Sequence, residues 1–575
     1  MSKNIHKDRI YMKNPGLQNY DLSNYKGVKD KNLYLEDTTL KHIVNRFTEN
    51  LMESEKNDIE KHITQYGSLV GGILNSLTEK SHKEGKYGEI NKFNSIGERV
   101  DEIIYSSEQN ESRKISYEYG IVNLDFHENW KYPFHITHRY ILAYLLNLNG
   151  EGGVACPLAM TDGMILALKK IGTEKQKEKY LPLIAGENSK SHFFVGQYVT
   201  ERVGGSNVGA NRTIATKSSN GKWILNGEKW FCSNPGDLWV TTARIEESNT
   251  IGMFLVSRYK ENGELNGHHL LRKKDIIGSR GKVTAEVIYE DLEAEELGRP
   301  SHGLANLIKY IITISRIHVG IGASSGARRA VMEALQYAKH RTAYGKSLLD
   351  FFVYERNLCE MQIEVTALTF SNFRSIFLWE KETPANAITI PLMKYISSSV
   401  ATKLSHSAIL CLGGNGIIGD FSLLPRLLND SIINESWEGT HFLLTEHILK
   451  AFDKQKSRES FYEEVNLSMD LINVVPKNIY DFQKEMISQL REMLNYSKED
   501  REFYREKISD LSYQIFSLSN LIKEFIYDYE KGSKDSIYLL FCECYVDLIK
   551  YGKSGVLPKN SKIMSKENRL LIINY

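Results

Sequence analysis

Trp437-Glu438-Gly439-Thr440 sets one carboxylate between an aromatic ring and a glycine, downstream of Leu412-Gly413-Gly414-Asn415-Gly416. A carboxyl beside an aromatic is poorly hydrated, and glycine lets the backbone approach a flat ligand closely. That is the setting of a desolvated general base. Taken alone, the tetrad suits a carboxylate at a helix end equally well. Its weight comes from segments upstream. In Thr200-Glu201-Arg202-Val203-Gly204-Gly205-Ser206, hydroxyls and small residues end a strand and leave backbone N–H groups free for a ring edge or a phosphate. The same segment also reads as a polar loop without a ligand. Trp230-Phe231-Cys232-Ser233 is an aromatic strand whose plainest role is core packing. Arg341 carries a forked guanidinium that suits phosphate oxygens, although an Arg at a helix end is commonly a solvated face residue. Gly414 to Gly419 fits G-x-G-x-x-G, but Ala401 to Leu412 reads as a helix, and a dinucleotide fingerprint needs a preceding strand.

Positioning these groups needs a large scaffold, and 575 residues suffice for three or four domains with ample cores. Hydrophobic content of 41% and charge of 25% are ordinary for a globular chain. Lys plus Arg (73) balance Asp plus Glu (72), so no overall field points to nucleic acid or an anionic membrane. The six cysteines are scattered, and Cys542-Glu543-Cys544 is too tight for a zinc knuckle with no second pair. No metal site is expected. Reduced thiols, an N-terminus without an apolar core, and the absence of about 18 uninterrupted apolar residues give a cytoplasmic expectation without membrane contact.

Periodicity divides the chain. Residues 1–190 read as mostly helical, with apolar spacing of three and four in Asp37–Leu77 and His138–Lys170, and a loop-rich polar patch at Lys80–Asn110. Thr173 and Gln176 form a capping box before a short helix ending at Leu181-Pro182. Over 191–300 the period becomes two, and Asn226-Gly227 predicts a type I′ hairpin inside a compact antiparallel β domain. Over 301–453 long helices return, through Leu304–Ala338, Phe352–Glu380, Ile390–Leu412 and Glu438–Ala451, as a helical bundle. Residues 454–575 are again helical.

That order and these motifs resemble the acyl-CoA dehydrogenase flavoprotein family, nearest its AidB-like branch. Further motifs carry the resemblance: Asn94 to Ile103, Ala155 to Thr161, Gly227 to Asn234, and Lys339-His340-Arg341-Thr342-Ala343-Tyr344-Gly345. The implied fold is α+β. It has an N-terminal α-helical domain, a middle antiparallel β domain, a C-terminal four-helix bundle and an extra C-terminal α-helical domain. The implied cofactor is FAD. By resemblance Gln197, Val199, Thr200 and Ser206 contact it, with Phe231 against its ring, Ser233 near N5 and Thr440 touching the flavin. Arg341, Tyr344, Gly413 and Gly414 would serve the FAD of a neighbouring subunit, in a homotetramer or a dimer sharing sites. Four positions depart from the family pattern: Ser233 replaces the commoner Thr and keeps the donor, Ala343 replaces a Thr, Leu410 a Gln and Phe442 a Gln.

The implied reaction is α,β-dehydrogenation of an acyl thioester, with Glu438 removing the α-proton and the β-hydride passing to flavin N5. The family's alternative place for the base holds Ser315 before Arg316, which leaves Glu438 as the candidate. The expected substrate contacts are Ser206, Arg316 and Glu438. An apolar pocket would raise the Glu438 pKa, and the Glu438 N–H would help polarise the thioester carbonyl. Acyl-CoA is the first substrate reading and an acyl-carrier-protein thioester the second. An electron-transfer flavoprotein is a possible electron acceptor. An AidB-like nucleic-acid role needs a basic surface, whereas 455–575 carry 18 Lys/Arg against 19 Asp/Glu.

Overall fold

The computed structural model describes residues 22, 25–185, 193–219, 221–467, 471, 473–533, 535–552 and 555–575. The N-terminal run and the expected domain boundary at 190 lie outside the described residues. Helices Thr38–Thr48, Glu53–Leu69, Ser107–Glu118 and Ile136–Asn147 lead into α1 (Ala155–Ile171). Asp37 caps the first of them by accepting from Leu40 N at 3.1 Å. The patch Lys80–Asn110 is more ordered than its polarity predicts. Strands Glu89–Phe93 and Arg99–Ile104 pair antiparallel within it, and helix Ser107–Glu118 follows. The capping box forms, with Gln176 N donating to Thr173 Oγ1 at 3.2 Å and Thr173 N to Gln176 Oε1 at 3.0 Å. Its helix does not stop at Pro182 but continues to Ala185.

Seven strands follow: β1 (Val195–Tyr198), β2 (Ile214–Lys217), β3 (Trp223–Ser233), β4 (Leu238–Ile245), β5 (Ile251–Ser257), β6 (His268–Lys273) and β7 (Thr284–Glu296). They are ordered β1-β3-β2-β4-β5-β7-β6, with β1 also pairing β4 and β3 also pairing β7. Most registers are antiparallel, while β1 and β2 each run parallel to β4. Asn226-Gly227 makes no hairpin. Strand β3 runs straight through it, and the register against β7 slips between Leu225 and Gly227. Gly227 has φ +152°, and a Cβ there would lie 2.6 Å from Thr213 Oγ1. This glycine therefore makes a bulge with a close backbone approach.

The bundle comprises α2 (Thr313–His340), α3 (Phe352–Glu380), α4 (Asn386–Leu412), α5 (Leu424–Ser436) and α6 (His441–Asp453). By length and mean hydropathy the helical run Pro300–His340 would suffice to cross a membrane. Here it is the central helix of the bundle. Its Ile317, Ile321, Ala327 and Val331 are fully buried, and Arg328 and Arg329 pair with Asp37 (3.1 Å) and Glu333 (2.9 Å). The last bundle helix begins at His441 rather than Glu438, because Glu438 and Gly439 have φ of +55° and +106° and cannot belong to a helix. The C-terminal helices pack onto the outside of the bundle. Glu524 accepts from His42 (2.8 Å) and Arg46 (2.6 Å), and Arg374 grips Glu464 at 2.7 Å.

Candidate active site

A cavity of about 650 Å³ opens between sheet and bundle. Its lining comes from α1, the end of β1 and the loop after it, β3, α2, and the α5–α6 turn. The sheet wall is set by buried hydrogen bonds. Asn211 Nδ2 donates to Val199 O at 2.8 Å and Trp230 N to Thr200 O at 2.8 Å, which fixes both residues at the strand end. Glu201 turns inward, where its carboxylate accepts from Lys229 Nζ (2.7 Å) and Thr213 Oγ1 (2.6 Å). Burial works against both charges, and their mutual attraction holds the Glu201 carboxyl below its usual range. With Glu201 buried as an anchor, Thr200 is left facing the cavity. Gly204 (φ +114°) turns the chain, and a Cβ on Gly205 would meet Thr200 Oγ1 at 2.5 Å, so only glycine permits that close return. Phe231 is half-exposed along this wall, and Ser233 Oγ lies 3.5 Å from Thr284 Oγ1.

The opposite wall carries the carboxylate. Helix α5 ends at Ser436, and the chain passes through Trp437, Glu438 and Gly439 before α6 restarts. Gly439 adopts positive φ freely, whereas a non-glycine such as Glu438 is costly there unless its surroundings hold it. Two buried cations do so. Arg316 Nε on α2 donates to Glu438 O (3.1 Å), and Lys394 Nζ on α4 donates to Gly439 O (2.7 Å) and Glu435 O (3.2 Å). Arg316 Nη2 also meets His447 Nδ1 at 3.3 Å. Burial and the Arg316 charge depress the His447 pKa, so the neutral ring accepts from the guanidinium. Burial pushes the Glu438 carboxyl up to about 7, against the pull of Arg316 and then Lys394. A carboxyl so placed is poised to take a proton near neutral pH.

Gln197, Val199, Thr200, Ser206, Phe231, Ser233, Arg316, Glu438 and Thr440 all line this one cavity. Ser315 Oγ donates to Gln197 Oε1 at 3.2 Å and ties the two walls together. Arg341, Tyr344, Gly413 and Gly414 do not line it. They stand at the far ends of α2 and α4, joined through Asn415 Nδ2 donating to Tyr337 Oη at 3.1 Å. Tyr344 is 96% exposed, and a Cβ on Gly413 or Gly414 would meet nothing within 4 Å. Sequence reasoning missed Lys394 and His447. The available signal was a single lysine inside the otherwise uncharged run Ile390–Val400. Among the described residues no His, Cys, Asp or Glu cluster suits a metal, and all six cysteines are free.

Residues 302–452 match the acyl-CoA dehydrogenase C-terminal domain and residues 196–292 its middle domain. Residues 24–189 match the N-terminal domain of the adaptive response protein AidB. The chain belongs to the acyl-CoA dehydrogenase family. It falls on the family's AidB-like branch, among FAD-dependent oxidoreductases acting on CH–CH donors. It is 27% identical over 448 residues to acyl-CoA dehydrogenase family member 11 of Caenorhabditis elegans, covering 74% of this chain and 71% of that one. The fold superposes on C. elegans ACDH-11 in complex with C11-CoA with a TM-score of 0.79 at 23% identity, covering 91% and 92% of the two chains. Against the Bacillus anthracis acyl-CoA dehydrogenase complexed with FAD the TM-score is 0.69 at 19% identity, covering 95% and 94%. The cavity fits the family's cofactor. Its sheet wall offers hydroxyls, backbone and an aromatic ring to a flat heterocycle, and the glycine turn leaves room for close approach.

Proposed function

We propose that this protein is an FAD-dependent α,β-dehydrogenase of acyl thioesters, with acyl-CoA as substrate and Glu438 as the base. The observation that carries the reading is the Glu438 carboxyl, raised to about 7, in the same cavity as Thr200, Phe231 and Ser233. FAD held along Gln197, Val199, Thr200, Ser206, Phe231 and Ser233 supplies the acceptor for the β-hydrogen and its electron pair. Glu438 receives the α-proton and becomes a neutral acid. The Glu438 N–H, held by the same turn, is the chain's own donor toward the thioester carbonyl. Arg316 keeps that turn in place by gripping the Glu438 carbonyl, and it limits how far the carboxyl pKa can climb. Thr440 closes the flavin side of the turn, and Ser206 borders the substrate path.

Two subunits completing each other's FAD sites belong to the same reading. Arg316 lies in the first turn of α2 and Arg341 just past its end at His340, 25 residues on, about 37 Å at 1.5 Å per residue. Arg341, Tyr344, Gly413 and Gly414 are thus suited to the ADP half of a neighbour's FAD, in a dimer or dimer of dimers. An electron-transfer flavoprotein fits as the acceptor of the reduced enzyme's electrons. A cytoplasmic location is supported by six unpaired, scattered cysteines. The charge-balanced tail supports a protein-facing or structural role over a nucleic-acid one.

The deciding experiment is an anaerobic spectral titration of the purified flavoprotein with acyl-CoA and acyl-carrier-protein thioesters. Bleaching of the flavin by an acyl-CoA is the expected result. Bleaching by carrier-bound thioesters alone would shift the substrate to the second reading, and no bleaching by any thioester would remove the dehydrogenase assignment.

A further inference from the structure

The turn that carries Glu438 is held in a conformation that its own sequence does not favour. Glu438 at φ +55° and Gly439 at φ +106° sit side by side, and only the second residue is a glycine. Such a turn persists when neighbouring groups over-determine it. Lys394 is the side chain placed to do this. It is fully buried on α4, and its ammonium reaches the carbonyls of Glu435 (3.2 Å) and Gly439 (2.7 Å). These carbonyls lie on either side of Glu438. The first also belongs to the last turn of α5, whose open carbonyl end favours a cation. Arg316 grips the carbonyl between them, so every side-chain hold on these three carbonyls is cationic.

We infer that Lys394 is the positioning residue of the base. It clamps the turn on both sides of Glu438, and its charge keeps the carboxylate ionised enough to accept the α-proton. The inference rests on Glu438 being the base. The groups facing that carboxyl make the charge argument specific. From α2 comes Arg316, and from α4 Lys394, both opposing the effect of burial. From α1 comes Cys156, whose thiol burial pushes up to about 12, so it stays neutral. Lys282 sits 5.4 Å over the Trp437 ring. His447 and His441 on α6 both lie below the usual histidine range through burial and stay neutral near pH 7. Glu435 faces Lys394 rather than the cavity floor and raises the lysine. Glu438 is the largest charge opposing the burial that brings Lys394 down to about 7, so each charge supports the other.

The test is a set of variants of the full FAD-loaded enzyme, read by anaerobic flavin bleaching with an acyl-CoA across pH 5 to 9. K394M should keep its flavin but bleach on the order of 10- to 100-fold more slowly, because the base is no longer held in place. Its ascending pH limb should move up by about one unit or more, because an opposing charge is gone. K394R should keep the limb near its wild-type position while recovering part of the rate, since a planar guanidinium cannot match the ammonium's geometry. K394Q, an uncharged donor, is measured alongside, so that poor folding of K394M does not conceal the limb shift. Wild-type rate and pH profile in the neutral variants would overturn the inference, as would a K394R limb displaced as far as that of K394M. E438Q in the same assay separates the two failures. If it bleaches normally, the base assignment falls and takes this inference with it. If it is inactive while K394M and K394Q behave as wild type, only the role of Lys394 falls.

Discussion

Helices α2 and α4 each contribute to two regions with opposite physical character. Near their N-terminal halves they supply Arg316 to the cavity wall and Lys394 behind the turn that borders it, where buried cations grip backbone carbonyls and burial moves pKa values. At their C-terminal ends they present Arg341, Tyr344, Gly413 and Gly414 on an open surface. There Leu410, Ile417 and Ile418 are exposed, and glycine Cβ positions meet empty space. A region that stores strain and holds it with buried cations is complete within one chain. A region of exposed apolar side chains, open glycines and one forked cation gains its meaning only when another surface covers it. Under the proposed function, the two ends of the same helices divide a reaction site from a docking site.

The enclosed region should break most sharply. E438Q is expected to keep FAD and to slow anaerobic bleaching by roughly 10²- to 10⁴-fold, the usual contribution of a positioned base. Bleaching at the wild-type rate would end the contrast between the regions. The same variant carries a stability signature. The folded carboxyl titrates at about 7, above an unfolded glutamate near about 4.3, so the native state holds the proton more tightly. That contribution is full below the unfolded value and is lost as pH rises through 7. Glutamine keeps the neutral form at every pH. The Tm of E438Q relative to wild type should therefore rise between pH 5 and pH 8, and a flat difference over that range would mean that the two cations offset burial.

At the open region the effects should be smaller and should depend on assembly. R341A removes one charge-assisted phosphate contact, about 1.5 to 3 kcal/mol, so FAD retention should weaken by roughly 10-fold or more. Flavin loss should accompany a shift toward smaller species in light scattering, because the proposed shared site puts cofactor and interface on this one residue. Unchanged flavin content and mass would remove Arg341 from the cofactor site and leave the cavity to hold FAD alone.

How much of this was legible in the sequence follows from the same division. Period and motif order located the long helices, and Phe352–Glu380 matches to the residue because apolar spacing decides a buried helix. The Glu438 position was legible as a carboxylate next to an aromatic. Its backbone was not: α6 was expected to begin at Glu438, because a positive φ at a non-glycine leaves no local mark. Asn226-Gly227 carried a strong turn signal that lost to tertiary pairing, since β7 lies alongside β3 through the bulge. Lys394 looked like a stray charge in an apolar helix, because the carbonyls it serves lie 41 and 45 positions away in sequence. Such contacts are tertiary products, and no local pattern encodes them.

The smallest effect gives the finest probe of the open region. Leu410 is 66% exposed on α4, three residues before Gly413, where the family pattern has a glutamine. An exposed leucine there contributes little within one chain, so L410Q should change Tm by no more than about 0.5 kcal/mol equivalent in either direction. If that surface meets the ADP half of a neighbour's cofactor, the amide adds a hydrogen bond at an interface, worth about 0.5 to 1.5 kcal/mol. FAD retention should then tighten by roughly two- to tenfold, and only under conditions where the oligomer persists. Looser retention with an intact oligomer would give the leucine a different role, as an apolar contact between subunits. The open end would then be a hydrophobic seam, and its glycines would serve close packing of chains rather than a cofactor.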